Sequence, residues 1–405
     1  MDRVDVAIVG AGQAGISVAA KLRRQGFEGR VMLLGEEEAA PYQRPPLSKK
    51  YLTREFDLER LFLRPRIFFE ENRIELCTGQ KCIEVDPERK ILELRNSRVE
   101  YQNLVLAVGS APRRLPENIG GSKEGVFVLR DIADADSIAK EFSPGRNLLV
   151  VGGGYIGLEV ASSAKSKGLK VTVIEMAERI LQRVAAPETS LRMRDLHVAK
   201  GVEIKEGIGV EFLGGEKRVS EVALTDGSSH PVDIVVAGIG ILPRDELAGA
   251  GGLKIDNGIW TNSRGQTSVE SIWAAGDCAS FPWKGKRIRL ESVQNAIDQA
   301  EMVAVNIAGD EICYDPTPWF WSDQYDAKLQ IAGLCTGYDN VVARKGASED
   351  SFSHWYFKGD QLLAVDAVND SRAYMVGKRL LESGETADKN AISDSKSNLK
   401  LLLKR

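Results

Sequence analysis

No cysteine in this chain stands three residues from another, so a CxxC redox or metal pair is excluded. The five that exist, Cys77, Cys82, Cys278, Cys313 and Cys335, are odd in number and scattered, the pattern of reduced thiols in a reducing compartment. Cys77 and Cys82 form a CxxxxC, but within ELCTGQKCIEV, which reads as strand–turn–strand; a structural role is the favoured reading. Histidine is scarcer still. His197, His230 and His354 are far apart, so no metal site is legible and none is expected. No stretch approaches the roughly 20 apolar residues of a membrane-spanning helix. The chain enters an apolar run, VDVAIVG from Val4, almost at once, so no signal or transit peptide is expected. Positive charge is not in excess either: 54 basic against 58 acidic residues give a net charge of −4, which argues against a nucleic-acid coat. A cytoplasmic protein, with neither membrane nor nucleic acid as partner, is the expectation.

What the chain does have is length and an internal duplication. Its 405 residues, 43% of them apolar, exceed one core and suit two or three domains. VDVAIVGAGQAGISVAAKLRRQGFEGRVMLLGEE and RNLLVVGGGYIGLEVASSAKSKGLKVTVIEMAE each read as apolar strand, GxGxxG turn, small-residue helix, second strand and terminal acid. One GxGxxG is weak; the whole context twice is strong. Gly10 and Gly152 permit the tight turn, Gly12 and Gly154 let a pyrophosphate approach the backbone, and Gly15 and Gly157 let helix pack on strand. Each helix N-terminus then offers free N–H groups and partial positive charge to phosphates. Glu36 and Glu175 stand where a carboxylate accepts from ribose hydroxyls, so two dinucleotides are expected. At the second copy, Glu175 repels a 2′-phosphate, which favours NADH over NADPH, with Arg179 as the one nearby cation. The first copy is assigned the more permanent nucleotide, FAD, because later segments look built to complete its pocket.

NLVLAVGSAPR is a buried strand running to Gly109 and Pro112, and IVVAGIGILPR repeats it; each is read as an exit from a domain. SIWAAGDCA ends in a glycine and Asp277, an acceptor suited to sugar hydroxyls. The architecture expected is α/β: FAD-binding domain residues 1–114, an inserted NAD-binding domain 115–243, a return to the FAD domain at 244–318, and an α+β C-terminal domain 319–405. In that last domain, WFWSDQYDAKLQIAGL, DSFSHWYFKGDQLLAVDAV and SRAYMVGKRLLESG read as strand, hairpin and helix, and the tail SDSKSNLKLLLKR as a short helix or a frayed end.

PYQRPPLSKKYL, Pro41 to Leu52, is proline-stiffened and basic. Pro45 and Pro46 are read as breaking helix before Ser48, which is read as the cap of a helix with Lys49 in its first turn. Glu159 follows the second glycine turn. Should the two domains face each other, Lys49 and Glu159 would meet beside the flavin, the lysine stabilising negative charge on it. The plainer alternative is a surface lysine and a helix-start glutamate.

Taken together, PYQRPPLSKKYL, AVGSAPR, VVGGGYIGLE, WAAGDCA, LESVQNAIDQA and PWFWSDQYDAKLQIAG resemble the FAD-containing, NADH-dependent ferredoxin reductases over essentially the whole chain. Putidaredoxin and palustrisredoxin reductases and the reductases of ring dioxygenases are of this type. The resemblance implies a glutathione-reductase-like fold. It also implies a two-iron ferredoxin as acceptor, which feeds a haem-thiolate monooxygenase or a dioxygenase. It further implies Ala14, Glu36, Lys49 and Arg44 at the FAD, Cys82 touching its adenine end through the backbone, and Arg130, Asp277 and Val293 reaching the same cofactor. The resemblance implies as well that Gly154, Ile156, Glu159, Glu175, Arg183 and Gly240 line the NADH path, and that Trp321 lies beside the flavin ring while Trp319 and Phe320 stay with the core. Lys49, Glu159 and Trp321 are the residues expected to act in catalysis.

Basic residues at Arg64 and Arg66, at Lys284, Lys286, Arg287 and Arg289, and at Arg372, Lys378 and Arg379 are read either as solvated faces or as a patch steering an acidic ferredoxin into a weak, salt-sensitive complex. Two alternatives compete. An NADH oxidase or disulfide reductase needs reactive cysteine chemistry near the flavin, which PYQRPPLSKKYL lacks. A signalling flavoprotein like apoptosis-inducing factor calls for a targeting peptide and a basic surface. Without the histidine motif that disulfide reductases supply across a dimer, a monomer is expected.

Overall fold

The computed structural model describes residues 2–403, and Lys404 and Arg405 of the tail lie outside them. The chain divides into two compact units, each assembled from three segments. Unit 1 is Met1–Gln43, Leu58–Ala111 and Ile241–Pro316; unit 2 is Arg44–Asp57, Pro112–Gly240 and Thr317–Arg405. Most of PYQRPPLSKKYL, which the sequence assigns to the first domain, therefore belongs with unit 2.

In unit 1 the Asp2–Val9 strand lies between Val31–Leu34 and Arg98–Leu106, parallel to both. Ile74–Cys77 extends one side, and Ile272–Ala274, from SIWAAGDCA, pairs in parallel with Arg98–Leu106. Ile91–Leu94 and Cys82–Asp86 add an antiparallel meander. Val4, Leu34, Leu104, Ile272 and Ala274 meet in one buried cluster, as near-continuous apolar strands of a covered parallel sheet require. The helices Gln13–Arg24 and Val293–Ile307 pack on each other, the second capped where Ser292 Oγ accepts from the Asn295 N–H at 3.1 Å.

Unit 2 repeats the plan. Glu203–Glu206, Lys170–Glu175, Asn147–Val151, Ile234–Ala237 and Val126–Val128 form a five-stranded parallel sheet in that order, with the helix Tyr155–Ser166 following the central strand. Its C-terminal part is a five-stranded antiparallel sheet covered by the helix Ser371–Ser383. WFWSDQYDAKLQIAGL is a hairpin there, not the single strand read from sequence: Trp319–Gln324 pairs with Ala327–Gly333. The turn is Tyr325–Asp326, with Tyr325 at φ 53°, and it hid because neither residue is glycine or asparagine. A strand unread in the sequence, Asn340–Lys345, completes the sheet's edge. A short helix, Lys389–Ser393, leads into the tail, and the tail itself forms a 3₁₀ turn at Leu399–Leu403.

The helix Pro187–Ala199 is joined to this sheet by a buried polar group. Thr189 Oγ1 donates to Asp366 Oδ2 at 2.9 Å and lies 2.7 Å from His354 Nδ1, while Tyr356 Oη also donates to Asp366 Oδ2. Asp366 Oδ1 has no partner. Burial pushes the Asp366 carboxyl from its ordinary 3.8 to about 7 and the His354 imidazole from 6.5 to about 4. The two act oppositely. Asp366 binds its proton more tightly in the fold, so stability is lost as pH rises from about 4 to about 7; His354 binds its proton less tightly, so stability is lost as pH falls from about 6.5 to about 4. Asp366→Asn removes only the first effect. Its thermal midpoint relative to the native chain should climb from pH 5 to pH 7.5, a gain of at most about 3 kcal/mol, because that window crosses two pKa units at about 1.4 kcal/mol each. A pH-independent difference between the two proteins would show that Asp366 does not titrate in this window.

Candidate functional site

Both glycine turns separate what the fold needs from what a ligand needs. Gly10 and Gly152 sit at φ +110° and +107°, and a Cβ on them would meet Ala107 O at 2.1 Å and Gly238 O at 2.4 Å. At Gly15 and Gly157 it would meet the carbonyl oxygens of Gly10 and Gly152 at 1.9 and 2.1 Å. Those four positions are glycine for the protein's own sake. Gly12 and Gly154 differ: their backbone is extended, and nothing lies within 4 Å of an added Cβ. Each is an N-cap without a side-chain cap, so the first-turn N–H groups have no side-chain acceptor, and the glycine leaves room for one. This open cradle at a helix N-terminus is what a dinucleotide pyrophosphate fits, once in each unit.

Around the first turn, Ala14 is buried in the helix Gln13–Arg24, its Cβ 3.1 Å from where a Cβ on Gly276 would stand. Glu36 lies beyond its strand's end and is shared by Arg244 at 2.7 Å and Lys81 at 3.0 Å. Burial pushes the Glu36 carboxyl up, but the hydrogen bonds from Lys81 and Arg244 win and hold it below the ordinary carboxylate range. Asp277 accepts from Ser110 Oγ at 2.9 Å, and Val293 opens its helix half-buried.

Around the second turn, Glu175 ends its strand with both oxygens engaged: the Gly153 N–H donates to Oε2 and the Ala177 N–H to Oε1, each at 2.8 Å. The acid thus shapes the turn itself. Arg179, the one nearby cation the sequence offered to a 2′-phosphate, is turned to the carbonyls of Ala185 and Gln182 and to Ser190 Oγ. Ile156 and Arg183 are exposed, and Gly240 sits at φ +100°. Glu175→Ala is expected to raise the KM for NADH about tenfold and to narrow the preference over NADPH, since one hydrogen-bonded carboxylate is worth about 1.5 kcal/mol. An unchanged NADH to NADPH ratio in steady-state assays would put discrimination elsewhere.

The Lys49–Glu159 pair forms within unit 2. Lys49 Nζ donates to Glu159 Oε2 at 2.6 Å and to Pro45 O at 3.2 Å. Glu159 is 3% exposed, and it accepts also from Ser48 Oγ at 2.5 Å and Ser322 Oγ at 2.7 Å. The local fold differs from the sequence reading: Pro45–Ser48 is itself a 3₁₀ turn, so Ser48 is not a helix cap and Lys49 follows the turn instead of opening a helix. Prolines suit the first positions of a helical turn, whose N–H groups have no partner to lose. Glu159 likewise is no surface helix-start acid but a buried acceptor. Arg44 donates to Arg130 O at 2.7 Å. Strand alternation puts Trp321 on the face of Trp319, their rings 5.8 Å apart, and turns Phe320 to Tyr155 on the other. Ser48, read from the sequence only as a cap, and Ser322, unmarked there, complete the Glu159 site; the signal for Ser322 was a small polar residue directly after three aromatics, two positions from Phe320 on the same strand face.

Cysteine chemistry finds no footing. All five thiols are free, and burial pushes Cys82, Cys278 and Cys335 up to about 11, so they stay protonated at neutral pH. Among the described residues no cluster could hold a metal ion, and no helix is long and apolar enough to cross a membrane. Of the basic groups, Arg289 is tied to Glu291 and to Asp277 O, Arg287 to backbone carbonyls, and Lys378 lies over the Trp319 ring. Arg66, Lys284, Lys286, Arg372 and Arg379 are exposed.

The pyridine nucleotide-disulphide oxidoreductase profile matches residues 4–300 and the reductase C-terminal profile residues 319–403. Rhodocoxin reductase of Rhodococcus erythropolis is 39% identical over 99% of this chain and 95% of its own. Putidaredoxin reductase of Pseudomonas putida is 38% identical over 98% and 96%. Among solved structures, that of the covalent putidaredoxin reductase–putidaredoxin complex superposes with a TM-score of 0.94 at 38% identity, covering 99% of this chain and 98% of that one.

Proposed function

The chain belongs to the pyridine nucleotide-disulphide oxidoreductase family, among the ferredoxin reductases of the putidaredoxin reductase type, and from that membership we propose that it passes electrons from NADH, through FAD, to a two-iron ferredoxin serving a monooxygenase or dioxygenase. Bound FAD would supply the conversion between a two-electron hydride donor and a one-electron acceptor. The protein's residues do the rest. Gly10, Gly12 and Gly15 would hold the FAD pyrophosphate, with Ala14, Glu36, Cys82, Asp277 and Val293 along the nucleotide. Gly152, Gly154 and Gly157 would do the same for NADH, with Ile156, Glu175, Arg183 and Gly240 along its path. Arg44, Lys49, Arg130 and Trp321 keep the roles toward FAD that the resemblance implies, and Glu159 holds the Lys49 ammonium. The five free thiols also support a cytoplasmic setting.

The observation that carries this reading is Lys49 fixed on Glu159, in the stretch where disulfide-reducing flavoproteins of this kind keep sulfur. A cation there suits a flavin that hands electrons to another protein and not to its own thiols. Purified protein should be yellow, and NADH-driven cytochrome c reduction should depend on an added two-iron ferredoxin and weaken with salt. Full-rate reduction without ferredoxin would defeat the proposal, as would a colourless protein.

A further inference from the structure

Glu159 can only accept, and this fixes the direction of a hydrogen-bond chain that continues well past it. Ser322 Oγ must spend its one proton on Glu159 Oε1, 2.7 Å away. The Ser322 oxygen then accepts from Gln324 Nε2 at 3.0 Å. With its nitrogen so placed, Gln324 turns Oε1 to His197 Nε2 at 2.8 Å, which must therefore carry the proton. His197 Nδ1 is left as an acceptor, with Tyr325 Oη at 3.4 Å. Ser322, Gln324 and His197 are all buried; the strand Trp319–Gln324 packs on the helix of Glu159, and His197 stands on the helix Pro187–Ala199. Tyr325 is tied to that same helix, its N–H donating to Ser162 Oγ at 2.8 Å.

We propose that Ser322, Gln324 and His197 are positioning residues for flavin reduction, a one-directional chain whose far end decides whether Glu159 holds its second oxygen by a donor. The proposal rests on the function given above. Its logic lies in the amide. If the proton of His197 moved to Nδ1, Nε2 would become an acceptor, and Gln324 would have to present its nitrogen there and its oxygen to Ser322. Ser322 would then donate to Gln324, and Glu159 Oε1 would lose its donor. A carboxylate free to rotate would no longer fix the Lys49 ammonium on its other oxygen. Burial lowers the basicity of His197, which keeps one proton on the ring and the chain in a single sense.

The test uses the FAD-loaded enzyme. With ¹⁵N-labelled histidine, the signal missing in His197→Gln should report a neutral ring protonated at Nε2 near pH 7; a proton on Nδ1 would overturn the chain's direction. In single-turnover reduction by NADH, without ferredoxin, Ser322→Ala should be about tenfold slower, the loss of one hydrogen bond to a charged group, with the NADH concentration dependence unchanged. Ser322→Thr, which keeps the hydroxyl, should recover most of the rate. Native speed in Ser322→Ala, or equal loss in both variants, would overturn the role. A ferredoxin-independent enzyme would defeat the proposed function and leave these NADH half-reaction results standing.

Discussion

Gly154→Val is expected to yield a folded, yellow enzyme that NADH hardly reduces, and Gly12→Val a folded protein that has lost its flavin. The reasoning is steric. Nothing in the protein lies within 4 Å of a Cβ at either position, and the backbone there is extended, open to any residue. Folding should therefore be spared. A pyrophosphate seated on the same turn needs the space, and valine would hold it away from the first-turn N–H groups. Losing two hydrogen bonds to a charged group, about 1.5 kcal/mol each, predicts binding weaker by about two orders of magnitude. Gly10→Ala and Gly152→Ala are the controls with the opposite signature: at φ +110° and +107°, with a carbonyl oxygen inside 2.5 Å, they should damage folding first. Flavin content, circular dichroism and the KM for NADH separate the cases. Equal flavin loss from Gly12→Val and Gly154→Val would contradict the assignment of one nucleotide to each turn.

That these turns were legible in the sequence and the Glu159 site only half so has a physical cause. A glycine turn is specified by residues within six positions of one another, and much of its constraint is local: the positive φ of Gly10 and Gly152, and the carbonyl five residues back that Gly15 and Gly157 must clear, although Ala107 O and Gly238 O add a long-range one. The strand–turn–helix order and the acids at Glu36 and Glu175 follow by the same short-range logic. Lys49 and Glu159 were readable as candidates, but their contact spans 110 positions and depends on how the prolines fold. There the local rule misled: Pro45 and Pro46 start a 3₁₀ turn, and that turn, not a helix, aims Ser48 and Lys49 at one carboxylate. Ser322, Gln324 and His197 gave less still. Polar residues in a strand read as exposed, and only the helices packed against Trp319–Gln324 make them interior. The Tyr325–Asp326 turn was missed because it lacks the residues that relieve a left-handed φ; its Ser162 bond is tertiary and offsets that cost.

Lys49→Ala should slow single-turnover flavin reduction by NADH at least tenfold, and it should also destabilise the protein more than Glu159→Ala does. The second half follows from burial. Glu159 is 3% exposed and the Lys49 side chain 18%. Removing Lys49 leaves a carboxylate in the interior with only the Ser48 and Ser322 hydroxyls, whereas removing Glu159 leaves an ammonium that retains Pro45 O and can reach water. Unpairing a buried charge costs about 3–5 kcal/mol, and the deeper charge takes the larger share. Lys49→Met with Glu159→Gln, which strands neither charge, should recover most of the stability and none of the rate. That split is the diagnostic: a merely structural pair would regain both together. Stability read from thermal midpoints with flavin bound, and reduction followed by flavin bleaching, measure the two independently. Native reduction rates in Lys49→Ala would remove the lysine from the reaction, and a double variant as fast as the native enzyme would show that the pair serves packing alone.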